Sequence, residues 1–185
     1  MSRSTHFLPV LVLAASMAPS IVQAATLQQL SMDQMTDLAT AVVRAKVTSA
    51  SAAISTASGV PTIYTHYQLA VSEVWKGSAL SEVAMPGGTV NSQHQEFPGV
   101  PELKIGGEYV LFLWKSPKTG TIQTIGLTQG IFEVTQQSDG STVANRKQSG
   151  ELMVDAKGQR VSDRAVRMGV SEMKSRVRRT PEAIQ

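Results

Sequence analysis

The chain contains no cysteine. Disulfides, thiol chemistry and lipoprotein anchoring through a cysteine are therefore excluded, and the fold must be held by its core alone. Histidine is almost as scarce, with three residues, of which only His66 and His94 fall outside the N-terminal leader. Neither has the ligand spacing of a metal site around it. Aromatic residues make up 5% of the chain, and no basic groove interleaved with aromatics can be traced, so nucleic acid is not expected as a partner. Apart from one segment near the N-terminus, no long apolar run occurs, and no transmembrane helix is expected in the remainder.

That N-terminal segment reads as a secretory signal peptide. Arg3 and His6 precede an apolar stretch over residues 7–18, and Val22-Gln23-Ala24 supplies the small residues a signal peptidase reads. Cleavage is expected after Ala24 or Ala25, which gives an exported protein, periplasmic or secreted. Roughly 160 residues remain, enough for one domain with a substantial core. The basic excess lies at the C-terminal end, where residues 151–185 carry eight basic against five acidic side chains.

The most apolar run outside the leader is Tyr109-Val110-Leu111-Phe112-Leu113-Trp114, bounded by Gly106-Gly107 and Ser116-Pro117. Its length is that of a strand, and its lack of alternation predicts a central strand covered on both faces. Before it, Ser31 and Gln34 form a capping-box pattern, which predicts a helix over residues 32–40 with Met32, Met35, Leu38 and Ala39 on one face. Val43, Ala45 and Val47 alternate with Arg44 and Lys46, predicting a strand with one wet face. The small-residue stretch 49–61 predicts a mobile loop. Ile63, Thr65, Tyr67, Leu69 and Val71 share one face of a longer strand, with Tyr64 and His66 on the other, and Val74-Trp75 breaks the alternation as a bulge or strand end. A short strand over 82–85 stops at Pro86-Gly87-Gly88, and residues 89–101 predict a long polar loop with Phe97 and Val100 tucked inward.

After the central strand, Ser116-Pro117-Lys118-Thr119-Gly120 predicts a turn. Further short strands are expected over 121–125, 127–130 and 131–136, and Asp139-Gly140 turns the last of these into a strand over 141–146. A small hairpin over 151–161 and a basic amphipathic helix capped by Ser171 complete the chain, with Gly169 arguing against an earlier start. The expected organisation is a signal peptide over 1–24, an OB-like barrel over 25–148, and a C-terminal hairpin and helix over 149–185. The fold class is mainly β: a small OB-like Greek-key barrel with short N-terminal and C-terminal helices. An open β-sandwich is the rival architecture.

Asp37-Leu38-Ala39, Ile63-Tyr64-Thr65, Trp75-Lys76-Gly77, Pro86-Gly87-Gly88, Phe97-Pro98-Gly99-Val100-Pro101, Gly107-Glu108 and Gly126-Leu127-Thr128-Gln129-Gly130 together resemble the recurring pattern of a group of bacterial exported proteins whose function is not established. More distantly, the strand over 42–47 and the aromatic-Lys-Gly turn at Trp75 are similar to the netrin-like module of tissue inhibitors of metalloproteases. That resemblance implies an OB barrel. It does not carry over the inhibitory N-terminal cysteine, for which this chain has only Ala25 or Thr26.

No catalytic constellation is assembled in the sequence. Thr128 between Gly126 and Gly130 lacks the strand-to-helix context of a nucleophile elbow, and Glu73, Glu82, Glu96, Glu102 and Glu108 are scattered without pairing. No cofactor or metal is implied. The reading is a non-enzymatic exported module that recognises another protein through its loops, with Phe97, Pro98, Val100 and Tyr64 as candidate binding residues. Two alternatives stand beside it: a netrin-like metalloprotease inhibitor acting through Ala25 or Thr26, and a hydrolase using His94 with Glu96. The basic residues over 174–179 offer weak contact to an anionic membrane surface, or form the wet face of a helix.

Overall fold

The computed structural model describes residues 26–57, 59–97 and 99–179. The expected signal peptide, its expected cleavage site and Pro98 lie outside the described residues. The chain opens with β1 (Thr26–Gln28) and α1 (Met32–Leu38), followed by the long strands β2 (Ala41–Ser55) and β3 (Thr62–Lys76). Next come β4 (Glu82–Pro86), β5 (Gly88–Val90), β6 (Gln93–Gln95), β7 (Glu108–Lys115) and β8 (Ile122–Thr124). The last part contributes β9 (Ile131–Gln136), β10 (Thr142–Arg146), β11 (Leu152–Val154), β12 (Arg160–Val161), β13 (Val166–Gly169) and α2 (Val170–Arg179).

Helix α1 forms where the capping box predicts it. Ser31 N donates to Gln34 Oε1 at 2.8 Å and Gln34 N donates to Ser31 Oγ at 3.2 Å. It ends at Leu38, earlier than expected, because Ala39 is extended. Lys76 Nζ reaches across from β3 to the carbonyls of Thr36 and Asp37 at 2.8 and 3.3 Å, satisfying the orphan acceptors of the last turn. Met32 and Met35 are buried as expected, but Leu38 is 55% exposed because the helix stops before its stripe completes another turn.

The main sheet runs β13-β10-β9-β7-β2-β3-β4, with β8 paired to the end of β7. Its ladders are antiparallel. Strand β7 is its centre, and Tyr109 to Leu113 are all buried. Alternation along β7 divides these side chains between two cores. Val110 and Phe112 join Met32, Met35, Val42, Trp75, Phe132, Met173 and Val177 on one face. Tyr109, Leu111 and Leu113 join Val43, Ala45, Val47, Tyr67, Leu69, Val83 and Met85 on the other. Trp114 belongs to neither core. It is 39% exposed, so the buried run ends one residue earlier than its hydrophobicity predicts.

Residues 49–55 form strand, not the expected mobile loop: β2 continues to Ser55 and pairs with β3 through Ile54↔Ile63 and Ser55↔Thr62. Serine and alanine carry no apolar period there, so the strand exists because β3 supplies a ladder to it. The register skips Trp75, Ser72 and Thr48. Of the bulge and the strand end that the sequence leaves open at Trp75, the skip is a bulge, and it delivers the indole to the α-helical side of the sheet, where Nε1 donates to Glu73 Oε2 at 3.1 Å. The stretch 125–130, expected in part as strand, is a run of turns with Gly126 and Leu127 at φ 58° and 52°. Ser171 lies inside α2, which begins at Val170, so it is not the cap.

The strand path does not return on itself, and no closed barrel forms among the described residues. Strands β4 and β8 nonetheless touch, with the Thr124 hydroxyl 3.8 Å from Met85 Sδ. Residues beyond 149 build on the same core: β11 pairs in parallel with β1, β13 pairs with β10, and α2 buries Val170, Met173 and Val177.

Candidate functional site

Residues 86–97 and 99–105 form a strap across the sheet face built by β2, β3 and β4. Gly87 and Gly88 start it at φ 110° and 127°, a backbone that side chains rarely adopt. The β5–β6 hairpin turns through Asn91 and Ser92, both at positive φ, so the region is more ordered than the expected loop. Three bonds fasten it to β3: Gly87 N to Ile63 O at 2.7 Å, Thr65 Oγ1 to Gly87 O at 2.9 Å, and Ile63 N to Gln95 Oε1 at 2.7 Å. At its far end Leu103 is buried in the core, and Lys104 N donates to the Tyr109 hydroxyl at 3.0 Å.

Between strap and sheet lies a cleft of about 870 Å³. Ala50, Thr65, Tyr67 and Met85 line it from the sheet, and Phe97, Val100 and Ile105 from the strap. Burial pushes the Tyr67 hydroxyl above its ordinary range, against the effect of its hydrogen bond to the Leu103 backbone. The structure thus brings Phe97 and Val100 to one cleft. Phe97 is 39% exposed, while Val100 packs partly against the core. Tyr64 does not line it. It occupies the opposite parity on β3 from Thr65 and Tyr67, half-buried and paired with Pro86. Sequence reasoning did not assign Tyr67 and Met85, which complete the cleft floor, because both read as ordinary core positions.

The strap rests on the half-buried Glu151. The Thr128 hydroxyl donates to Glu151 Oε2 at 2.9 Å, while Oε1 and the Ser149 hydroxyl are buried without a well-formed hydrogen bond among the described residues. Burial pushes this carboxyl above 4.5 and nearby Asp163 adds to the effect, whereas Thr128, Ser149 and Arg146 oppose it.

His94 and Glu96 also line the cleft and are exposed; His94 Nδ1 lies 3.0 Å from the Thr89 hydroxyl. His66 is engaged at the sheet surface, with Nδ1 2.8 Å from Glu82 Oε1. This contact holds the Glu82 carboxyl below its usual range. Among the described residues, no three His, Cys, Asp or Glu side chains are grouped to hold a metal ion. Thr26, next to the end a netrin-like inhibitor would present, is paired in β1 with Leu152.

The basic helix is turned largely onto the fold. Lys174 pairs with Glu73, Arg176 pairs with Asp33 at 3.0 Å, and Arg178 donates to Val74 O at 3.5 Å. No helix among the described residues is long and apolar enough to cross a membrane. No family model and no curated protein matches the chain.

Proposed function

We propose that this chain is an exported, non-enzymatic binding module of OB-like build that recognises another exported protein through the strap and its cleft. The observation that carries this reading is the cleft itself. It is of ligand size, has an apolar floor on a rigid sheet, and is rimmed by an exposed aromatic on a Gly/Pro-rich segment. Phe97 is the anchor residue of the interface and Val100 holds the strap that presents it, with Pro98 between them. The approach of β8, paired to β7, toward β4 through side chains rather than a ladder supports the OB-like reading. The reading requires no metal or cofactor. The basic α2 surface is at most an auxiliary contact to an anionic membrane.

Panning a displayed peptide library against the mature protein tests it. Selected peptides are expected to shift the amide resonances of 95–105 and of Tyr67, and to lose at least about tenfold in affinity on Phe97→Ala, a typical loss for an aromatic anchor. Trp114→Ala, on an aromatic of equal exposure outside the cleft, is expected to bind unchanged. Peptides that bind Phe97→Ala as tightly as the parent, or that shift resonances elsewhere, overturn the assignment.

A further inference from the structure

We propose that a second recess, between α1, β13 and the turn before β9, is a binding site for a medium-chain carboxylate: an unbranched apolar tail ending in a single negative charge. The proposal does not draw on the strap cleft. The recess has a volume of about 420 Å³, within the range of roughly 300–1,000 Å³ common for small-ligand sites. Its apolar lining is Leu30, Met32, Met35, Phe132, Val166 and Met168. Three of these are methionines, whose unbranched side chains adapt to a flexible tail.

The charged lining is wholly cationic: Arg146, Arg164 and Arg176. Two are already neutralised and held in place. Arg146, whose side chain is only 10% exposed, forms a fork to both oxygens of Asp163 at 2.9 and 2.8 Å and donates to Arg164 O at 2.8 Å. Arg176 forms a second fork to Asp33 at 3.0 and 3.2 Å, and Glu172 bears on it from outside the recess. Arg164 is exposed and its guanidinium has no ionic or hydrogen-bonded partner among the described residues. Its backbone is fixed by Arg146, so the free guanidinium is tethered at the rim of an apolar recess.

That arrangement selects by chemistry. A guanidinium fork matches the two oxygens of a carboxylate, and one uncompensated guanidinium matches one negative charge. A cationic amphiphile meets only arginines. A small anion such as acetate gains nothing from the methionines.

The test uses the mature protein with methyl-labelled methionine and sodium decanoate below its micelle concentration. Decanoate is expected to shift the Met32, Met35 and Met168 methyl signals in a saturable titration. Decyltrimethylammonium, acetate and inorganic phosphate are expected to leave them in place. Arg164→Gln, at an exposed position that leaves the fold intact, is expected to weaken decanoate at least about tenfold, the scale of a lost charge-assisted pair. Absence of a decanoate shift overturns the site. Equal shifts with decyltrimethylammonium reduce it to an unselective apolar recess, and equal shifts with acetate or phosphate reduce it to an anion site without a tail. An unchanged affinity in Arg164→Gln removes the recognition element and overturns the proposal.

Discussion

Glu151 occupies the space into which a side chain at position 99 would grow: a Cβ on Gly99 would collide with Glu151 Oε1. Gly99 is also at φ 82°. The strap therefore lies on Glu151, and a methyl group at position 99 fits only if the glutamate side chain shifts. Gly99→Ala is expected to lose about 1–3 kcal/mol, combining the left-handed backbone with the clash. Urea titration measures it. Glu151→Ala in the same chain is expected to restore the steric part only, and full additivity of the two losses would show that the residues do not meet.

Glu151→Gln is expected to stabilise the protein at neutral pH. The folded carboxyl titrates above 4.5, so the folded state holds its proton more tightly than the unfolded chain. Relative stability of the parent is thus highest below 4.5, falls as pH rises through the raised folded value, and is lowest above it. The difference between Glu151→Gln and parent should grow across that window. Parallel stability–pH curves would contradict the assignment.

Glu73 has the opposite sign. The Lys174 ammonium, the Trp75 indole and the Arg44 guanidinium hold its carboxyl down to about 2 from 4.5. Its contribution is present above 4.5 and disappears as pH falls toward about 2. Before solvent screening the shift corresponds to about 3 kcal/mol, and screening of this partly exposed group reduces it. Glu73→Gln should flatten the acid limb of the stability curve, and an unchanged acid limb would mean the network contributes nothing.

Leu111→Ala should cost about 2–5 kcal/mol, since the side chain is fully buried, with Val43 opposite it on β2. Trp114→Ala, three residues on, should stay within about 0.5 kcal/mol as an exposed substitution outside both cores. Thermal unfolding of the pair shows whether the buried stretch ends at Leu113.

What was legible in the sequence was local. The capping box of α1, the bulge at Trp75 and the central strand each depend on neighbours within a few positions. The strand over 49–55 was not, because its serines and alanines acquire extended structure only from the ladder that β3 offers. Trp114 misled for the converse reason: hydrophobicity does not say where a partner layer stops. At the candidate cleft, Phe97 and Val100 were marked by their Gly/Pro-rich setting, and strand alternation already placed Tyr64 on the face opposite Tyr67. That Tyr67 and Met85 floor the cleft depends on where the strap crosses, which sequence spacing does not encode. The pairing of Arg164's neighbours, Arg146 with Asp163, is equally a product of the β10–β13 register.

Asp33 and Arg176 are separated by 143 positions, and β1 finds its ladder partner only at Leu152. The first helix thus has no completed surroundings until almost the whole chain exists. A ribosome that has released everything up to β13 has not yet supplied Met173 or Val177 to the Phe112 side of the sheet. Contacts of this span close late and slowly. The chain therefore has a long interval, between synthesis of β1 and arrival of α2, in which the Phe112 side of the sheet lacks part of its cover.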